Sequence, residues 1–201
     1  MIVTLALIAL TCVLSYAAFG NRSMLERLLF WPPAVARGQL DRLITHGFVH
    51  ADGSHLLFNM VTLFFFGSAI EPFFTGAIGI AGFVCFYLSA ILVAIVPSWL
   101  AHRNDPGYRS LGASGAVSAV LFIYILMAPW SILYVFFVPV PAIVFAAVYI
   151  GYSFYAQGRA ADNINHSAHL WGGAYGVAFA LVMEPGLGGH FLSRLLHPSF
   201  G

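Results

Sequence analysis

The chain has 201 residues, of which 61% are hydrophobic and only 7% are charged, and its mean hydropathy is +0.90. A soluble domain carries roughly 25% charged residues. The composition therefore excludes an ordinary soluble enzyme and indicates an integral membrane protein. The formal net charge is +1, so no strong basic field favours nucleic acid as a partner.

Six apolar stretches follow one another along the chain, and most are long enough to cross a hydrocarbon core of about 30 Å. They are predicted at residues 1–19, 55–74, 77–100, 114–129, 132–155 and 167–183. The first has no basic segment before it and no clear cleavage site, so we interpret it as an uncleaved span. Pro139 and Pro141 are expected to bend the fifth span. The predicted fold class is an all-α membrane protein, in which residues 1–201 form a single domain, a compact bundle of six transmembrane helices.

The first loop, residues 20–54, combines four arginines with an apolar and aromatic run that ends at Trp31. Such amphipathic content is typical of a segment that lies in the membrane interface. Within this loop, His46 and His50 are expected to form hydrogen bonds that hold the loop against the bundle. Arg42 is expected to bind loop carbonyls in the same way.

Four polar residues stand at the starts of alternate spans. Successive spans reverse direction, so the second, fourth and sixth begin on the same face of the membrane. That face is therefore expected to carry His55 and Asn59, then Ser114, and finally His169. The fourth span covers only about 15 residues, or roughly 23 Å of helix. Ser114 is then expected to lie several Å below its own surface, in a hollow that water can reach.

Small residues near these positions favour close helix packing. Gly172 and Gly176 form a small-xxx-small pattern on the sixth span, and Gly115 with Ala119 does the same on the fourth. Such patterns let helix backbones approach closely in lipid. We predict that these glycines, together with Gly112, are packing residues that bring Ser114 and His169 within hydrogen-bonding reach.

The residue types suit acyl transfer. A serine hydroxyl is a weak nucleophile until a neighbouring base takes its proton, and His169 is a candidate base for Ser114. The oxyanion that forms needs preorganised donors. The backbone N–H of Ser114, the amide of Asn59 and the imidazole of His55 are candidates for that role.

At these residues the chain resembles the rhomboid family of intramembrane serine proteases. Residues 112–115, Gly-Ala-Ser-Gly, are similar to its GxSG motif; residues 168–176 are similar to AHxxGxxxG, and residues 55–59 to HxxxN. The resemblance covers nearly the whole chain. It implies a serine endopeptidase that cleaves transmembrane proteins with a Ser114–His169 dyad, without a third acid and without a cofactor.

The resemblance also implies that His55, Asn59 and the Ser114 N–H form the oxyanion hole. The fifth helix and residues 157–165 would then act as gate and cap. One departure is Asp41-Arg42, because the family often carries Trp-Arg in that place. This departure concerns how the first loop docks.

Two alternatives remain open from the sequence. One is a catalytically inactive rhomboid-like protein that binds membrane helices. The other is a small His-rich transporter, since His46, His50 and His55 are closely spaced and His166 and His169 are three residues apart. Without an HExxH motif or a cysteine pair, no metal site is predicted. The predicted partners are transmembrane substrates and membrane lipids, with no nucleic acid; the sequence gives no oligomeric state.

Two indicators of membrane orientation disagree. Seven arginines fall in loops on the predicted catalytic side, namely Arg22, Arg27, Arg37, Arg42, Arg103, Arg109 and Arg159, and the other side has Arg194. The positive-inside rule would turn the catalytic side toward the cytoplasm, whereas the resemblance to bacterial rhomboids implies that it faces outward. We predict the outward orientation, in a multi-pass protein of the bacterial inner membrane.

Overall fold

A computed structural model describes residues 1–157 and 164–198 of the chain, and most of these residues are helical. The elements, in chain order, are α1 (Ile2–Phe19), α2 (Arg22–Leu28), α3 (Pro32–Ala36), α4 (Arg42–Thr45), α5 (Gly53–Thr62), α6 (Ser68–His102), α7 (Ser114–Met127), β1 (Ile132–Val135), β2 (Val138–Pro141), α8 (Ala142–Gln157), α9 (His166–Met183) and α10 (Gly186–Leu196). A 3₁₀ turn, His46–Phe48, follows α4, and a π-helical segment, Leu63–Gly67, joins α5 to α6. The predicted cap, residues 157–165, lies largely outside the described residues.

Several helices agree with the predicted spans to within a few residues: α1, α7 and α9 correspond to the first, fourth and sixth. By length and composition, Ile2–Phe19 and Gly53–His102 are apolar enough to cross a membrane, and α7 and α8 are shorter apolar helices. The predominantly helical, apolar architecture is that of a membrane protein.

Residues 53–102 form one long helical stretch that reverses direction at Gly79. The backbone of Gly79 has φ 73° and ψ 175°, a conformation that glycine adopts readily because it has no Cβ. Beyond the reversal, the rings of Phe83 and Phe86 pack 5.5 and 4.8 Å from Phe74. This stretch contains the second and third predicted spans. The sequence predicted the boundary between them at residues 74–77, whereas the reversal lies at Gly79.

The buried carboxylate of Glu71 joins α1 to the second predicted span. Glu71 lies near the end of that span, and His55 lies at its start. Glu71 accepts hydrogen bonds from the backbone N–H groups of Val3 and Thr4 at 3.0 and 2.9 Å, and from the Thr4 hydroxyl at 2.7 Å. The first N–H groups of a helix have no partners within that helix. Glu71 supplies acceptors for them, so the start of α1 is fixed against residue 71.

The fifth predicted span differs from the observed structure. Residues 132–141 form an antiparallel hairpin, in which β1 pairs with β2, and helix begins only at Ala142. Pro139 and Pro141 lack the N–H that a helix interior requires. The β-branched and aromatic residues around them favour extended backbone. The prolines therefore exclude helix from residues 132–141 rather than bending one.

The hairpin turns through two phenylalanines in left-handed conformation. Phe136 has φ 48° and Phe137 has φ 70°. For a residue with a side chain this conformation costs roughly 1–2 kcal/mol. Asn-Gly is the usual sequence for a two-residue turn of this kind, so the aromatic tip is not what local backbone preference would select.

The centre of the fold is the contact between α7 and α9. A Cβ on Gly172 would overlap the carbonyl group of Gly115, and a Cβ on Gly176 would overlap the backbone of Ala119. At the same junction, the Cβ of Ala94 from α6 lies 2.5 Å from where a Cβ on Gly115 would stand. Without side chains at these positions, the three helices pack with their backbones nearly in contact.

Replacing Gly172 by alanine should separate α7 from α9, because the new methyl group would meet backbone that cannot move alone. We expect Gly172→Ala to lower the free energy of unfolding by roughly 1–3 kcal/mol. The measurement is an unfolding titration in mixed detergent micelles. Gly151→Ala is the matched control, because a Cβ on that helical glycine would meet nothing within 4 Å. Equal stability of the two variants would contradict the packing described here.

Candidate active site

Ser114 is the first residue of α7, and the helix starts without a side-chain cap. The N-cap residue is Ala113, and Val117 N–H makes the first helical bond, to the Ala113 carbonyl. The N–H groups of residues 114–116 therefore have no carbonyl acceptor within the helix. Such a helix start attracts an anion, since its N–H groups and the helix dipole both favour negative charge there.

His169 lies in the first turn of α9, one turn after its N-cap. Its ring stacks on the Tyr149 ring of α8, with centroids 5.9 Å apart, and meets the His166 ring edge-on at 5.8 Å. Two neighbouring aromatic rings thus restrict the orientation of the imidazole.

The helix starts that carry Ser114 and His169 are in contact. A Cβ on Gly115 would lie 3.4 Å from the Ala168 carbonyl oxygen, and Gly172 abuts Gly115 directly. Ser114 precedes Gly115 in sequence, and His169 follows Ala168. The small residues around them therefore bring the serine and the histidine to one end of one interface.

His55 and Asn59 approach the same place from α5. A Cβ on Gly112 would lie 2.7 and 2.9 Å from Cε1 and Nε2 of His55. Gly112 has φ 112°, and it lies in the loop before α7. Its lack of a side chain thus makes room for the His55 ring, whereas the sequence predicted a helix-packing role. Asn59 is buried and donates one amide hydrogen to the His55 carbonyl at 2.9 Å, which leaves a second amide hydrogen for another acceptor.

His50 connects three parts of the chain directly behind Ser114. The Ala113 N–H donates to Nε2 of His50 at 3.2 Å, so Nδ1 carries the proton and donates to the Ser15 hydroxyl at 2.9 Å. Ser15 in turn donates to the Phe48 carbonyl at 3.1 Å. His50 therefore holds the first loop against the bundle, as expected, through bonds to α1 and to the loop that presents Ser114.

Asn165 links the start of α9 to its neighbours, a role that was not predicted from the sequence. Its Oδ1 caps α9 by accepting the Ala168 N–H at 3.0 Å, and it also accepts the Ser98 hydroxyl of α6 at 3.0 Å. Its Nδ2 donates to the Ser110 hydroxyl at 3.2 Å, four residues before Ser114. One side chain therefore joins α6, α9 and the serine loop. The available signal was an asparagine immediately before an apolar helix, which is typical of an N-cap.

The first loop docks in spite of its Asp41-Arg42 sequence. Arg42 donates to the carbonyls of Glu26 and Leu29 at 2.8 and 2.7 Å, which confirms its predicted role. Asp41 pairs with Arg27, and the hydrogen bond from this guanidinium lowers the pKa of Asp41 below its usual value.

A tryptophan ten residues upstream of Asp41 supplies an aromatic contact in the first loop. The Trp31 indole N–H donates to the Pro106 carbonyl at 3.1 Å. The guanidinium groups of Arg37 and Arg109 lie 4.9 and 4.5 Å from its ring centroid, within the range of cation–π attraction. Trp31 therefore joins the first loop to the loop that precedes Ser114.

His46 packs in the core rather than forming the expected ring hydrogen bonds. Its ring meets Phe30 edge-on at 6.0 Å, and neither ring nitrogen has a hydrogen-bond partner among the described residues. The His46 carbonyl accepts the Gly112 N–H at 2.9 Å. Burial lowers the pKa of His46 to about 4. Residues 1–157 and 164–198 contain no group of three or more histidine, cysteine or acidic side chains that could hold a metal ion.

The chain is thus an apolar, helical membrane protein. It brings a serine and a histidine to adjoining helix starts, an arrangement suited to hydrolysis. The family model for the rhomboid domain matches residues 37–185. The chain therefore belongs to the rhomboid family.

Curated relatives include proteins from plants, bacteria and yeast. The chain is 34% identical over 84% of its length to RHOMBOID-like protein 12, mitochondrial, of Arabidopsis thaliana, and covers 54% of that protein. It is 29% identical over 81% of its length to Rhomboid protease GluP of Bacillus subtilis, and covers 30% of it. It is 31% identical over 68% of its length to Rhomboid protein 1, mitochondrial, of Saccharomyces cerevisiae, covering 40%. The chain thus spans about half, or less, of the length of these relatives.

Acid should destabilise the fold through His46 and His50. Burial lowers their pKa values to about 4 and about 3, whereas histidine in an unfolded chain titrates near ~6.5. The unfolded state then binds more protons in the interval between these values, so stability falls as pH drops below about 6.5, by up to ~1.4 kcal/mol per pH unit for each histidine. Unfolding titrations in detergent at pH 7, 6 and 5 measure this slope. The slope should be shallower in His50→Gln, and a wild-type stability that is flat from pH 7 to 5 would contradict the buried neutral state.

Removing the Asn165 side chain should uncap α9. We expect Asn165→Ala to lower the free energy of unfolding by about 1 kcal/mol, the usual effect of losing an N-cap. Asn165→Asp keeps an acceptor oxygen and should retain most of the stability. Asn104→Ala, in an exposed turn, is the control and should change little. Thermal unfolding in detergent compares the three; if Asn165→Ala matched the control, Asn165 would not be a structural link.

Proposed function

We propose that this chain is an intramembrane serine endopeptidase that hydrolyses peptide bonds in or near transmembrane segments of other proteins. The observation that carries the proposal is the contact of Gly115 with Ala168 and Gly172, because it brings the two helix starts bearing Ser114 and His169 together. Family membership supports the same activity, since a Bacillus subtilis relative is named Rhomboid protease GluP.

In the proposed mechanism, Ser114 is the nucleophile and His169 the general base. His169 takes the hydroxyl proton as the serine oxygen attacks the peptide carbonyl, and then gives that proton to the departing amine. A water molecule, activated by the same imidazole, then hydrolyses the acyl-enzyme. Stacking of His169 on Tyr149 supports this role, because it limits rotation of the imidazole.

Charge on the tetrahedral intermediate would be stabilised by three groups, the Ser114 N–H, the Asn59 amide and the His55 imidazole. The uncapped start of α7 supports this assignment, because its N–H groups have no intrahelical partner. The position of His55 against Gly112 supports it as well. His50 would keep the Ala113 N–H occupied, so that the loop before the nucleophile stays in one conformation. The reaction needs no cofactor.

Six membrane spans complete the proposal: α1, the two arms of residues 53–102 on either side of Gly79, α7, α8 and α9. Named relatives are mitochondrial in plant and yeast and also occur in a bacterium, so embedding in a membrane is the common property. The bacterial inner membrane, the outward-facing site, the interfacial first loop and the single domain of residues 1–201 stay predictions.

Substitution of the proposed dyad should abolish cleavage. With purified protein and a transmembrane reporter in detergent or vesicles, Ser114→Ala should reduce cleavage to background, and His169→Ala should do nearly the same because the two act as a unit. Asn59→Ala should reduce the rate by roughly 10–1,000-fold, as expected for one oxyanion donor. Ser131→Ala is the matched control, since that hydroxyl binds the Ala128 carbonyl beyond the opposite end of α7.

The same proteins can be treated with a fluorophosphonate that labels activated serines. Labelling of wild type and of Ser131→Ala, but not of Ser114→Ala, is the expected pattern. Undiminished cleavage by Ser114→Ala would remove the assignment. A folded wild-type protein that neither cleaves the reporter nor takes the label would instead favour the inactive rhomboid-like alternative.

A further inference from the structure

A buried hydroxyl one helical turn after the proposed nucleophile bonds to a different helix. Ser118 follows Ser114 by four residues on α7, and its side chain is buried. Its hydroxyl lies 2.8 Å from the hydroxyl of Tyr149 on α8. A helical hydroxyl often turns back to the carbonyl four residues before it, as those of Thr11 and Thr62 do in this chain. The Ser118 hydroxyl instead contacts another helix, so it links α7 to α8.

The Tyr149 side chain is held both at its hydroxyl and around its ring. The hydroxyl meets Ser118, and the rings of Phe122 and Phe145 lie 5.8 and 5.7 Å from the tyrosine ring. The His169 imidazole lies 5.9 Å away, with an angle of only 22° between the two ring planes. A tyrosine has only two side-chain torsions, so these contacts together restrict its ring to one orientation.

Helix α9 leaves room for this arrangement one turn after His169. A Cβ on Gly173 would lie 2.9 Å from Cδ2 of Phe122, so the phenylalanine ring occupies the space of a missing side chain. Phe122 follows Ser118 by four residues, and Gly173 follows His169 by four. Tyr149 therefore contacts two successive turns of α7 and the histidine of α9, at the edge of the interface that brings the two helix starts together.

We infer that Ser118 is a positioning residue of the proposed protease, because its hydroxyl holds the Tyr149 ring that orients the His169 imidazole. The inference rests on the proposed protease function. In a catalytic triad an acid holds the imidazole in its productive orientation, whereas the proposed dyad works without a third acid. Here the tyrosine ring has that orienting role, and Ser118 fixes the ring to the helix that carries the nucleophile.

The consequence is a second alignment of nucleophile and base, in addition to the backbone contact between α7 and α9. Proton transfer requires the imidazole to lie within hydrogen-bonding reach of the serine hydroxyl, and a misplacement of about 1 Å can lower a rate by roughly 100-fold. Loss of the Ser118–Tyr149 bond would leave the stacked rings in place, so a smaller effect is expected. Ser118 acts through Tyr149 and not on the substrate, so substrate binding should not change.

The first experiment removes the hydrogen bond from either side. Ser118→Ala and Tyr149→Phe each delete one hydroxyl and keep the neighbouring rings. With purified protein and a transmembrane reporter, each variant should lower kcat by roughly tenfold, with KM within about twofold of wild type. The rate of fluorophosphonate labelling at Ser114 should fall in parallel, because labelling depends on the same activation by His169.

A double variant tests whether the two hydroxyls act as one unit. If Ser118 acts only through Tyr149, adding Ser118→Ala to the Tyr149→Phe protein should lower kcat by no more than about twofold further. Multiplication of the two single effects would overturn the inference, because the two residues would then act independently. A wild-type kcat in either single variant would also overturn it, so Tyr149→Phe decides the matter even if Ser118→Ala does not fold.

The matched control is a second serine–tyrosine pair in the same bundle. The hydroxyls of Ser89 on α6 and Tyr175 on α9 lie 2.6 Å apart, and the Tyr175 ring stacks on Phe86 at 6.2 Å rather than on a histidine. Ser89→Ala and Tyr175→Phe remove the same kind of bond, and they should change kcat and labelling by less than about twofold. An equal loss of kcat in these controls would overturn the inference, because it would show a general effect of looser packing.

Two further measurements separate the possible causes of a lost activity. Unfolding titrations in detergent should show all variants folded, since a single interhelical hydrogen bond contributes only modestly to the stability of a membrane bundle. A folded wild-type protein that neither cleaves the reporter nor takes the label would remove the protease assignment itself. An active wild type with an unimpaired Ser118→Ala variant would remove only the positioning role.

Discussion

Backbone contact between α7 and α9 is the constraint on which the rest of the molecule depends. Lipid is as apolar as the side chains of a membrane helix, so association within a bilayer relies on close packing rather than on the hydrophobic effect. Gly115, Gly172 and Gly176 provide that packing, because each leaves room for a neighbouring backbone atom. The same contact brings the helix starts that carry Ser114 and His169 together. Stability of the bundle and geometry of the candidate site therefore have one origin.

Polar side chains are few in this chain, and three of them each join separate elements. Glu71 fixes the start of α1, His50 joins α1 to the loop before α7, and Asn165 joins α6 and α9 to that same loop. An unsatisfied polar group is costly in apolar surroundings. Each of these side chains is therefore strongly held by its partners, and two of them act at the end of the bundle where Ser114 lies.

The hairpin departs from helical packing along the side of α7. Helix α7 is short for a membrane span, and the segment that follows it returns along its side before α8 begins. The space between α5 and α8 is consequently filled by a two-stranded element, whose tip contacts one ring of α5.

The sequence by itself determined the class of protein, because 7% charged residues cannot cover a soluble fold. It also determined α1, α7 and α9 to within a few residues, since long apolar runs bounded by polar loops are local signals. The glycine spacing indicated which helix faces pack closely. The motifs around Ser114, His169 and His55 identified the family, and the direction of successive spans predicted that these residues share one face.

Only the tertiary structure decided the reversal at Gly79, the hairpin in place of a bent fifth helix, and the partners of His50 and Asn165. His50 binds Ala113, 63 residues away, and Asn165 binds Ser98, 67 residues away, and no periodic pattern records a hydrogen bond between distant segments. Proline spacing at residues 139 and 141 was visible in the sequence, yet it could not show whether the backbone bends or pairs with itself. That choice depends on the groove beside α7, which exists only after the helices have packed.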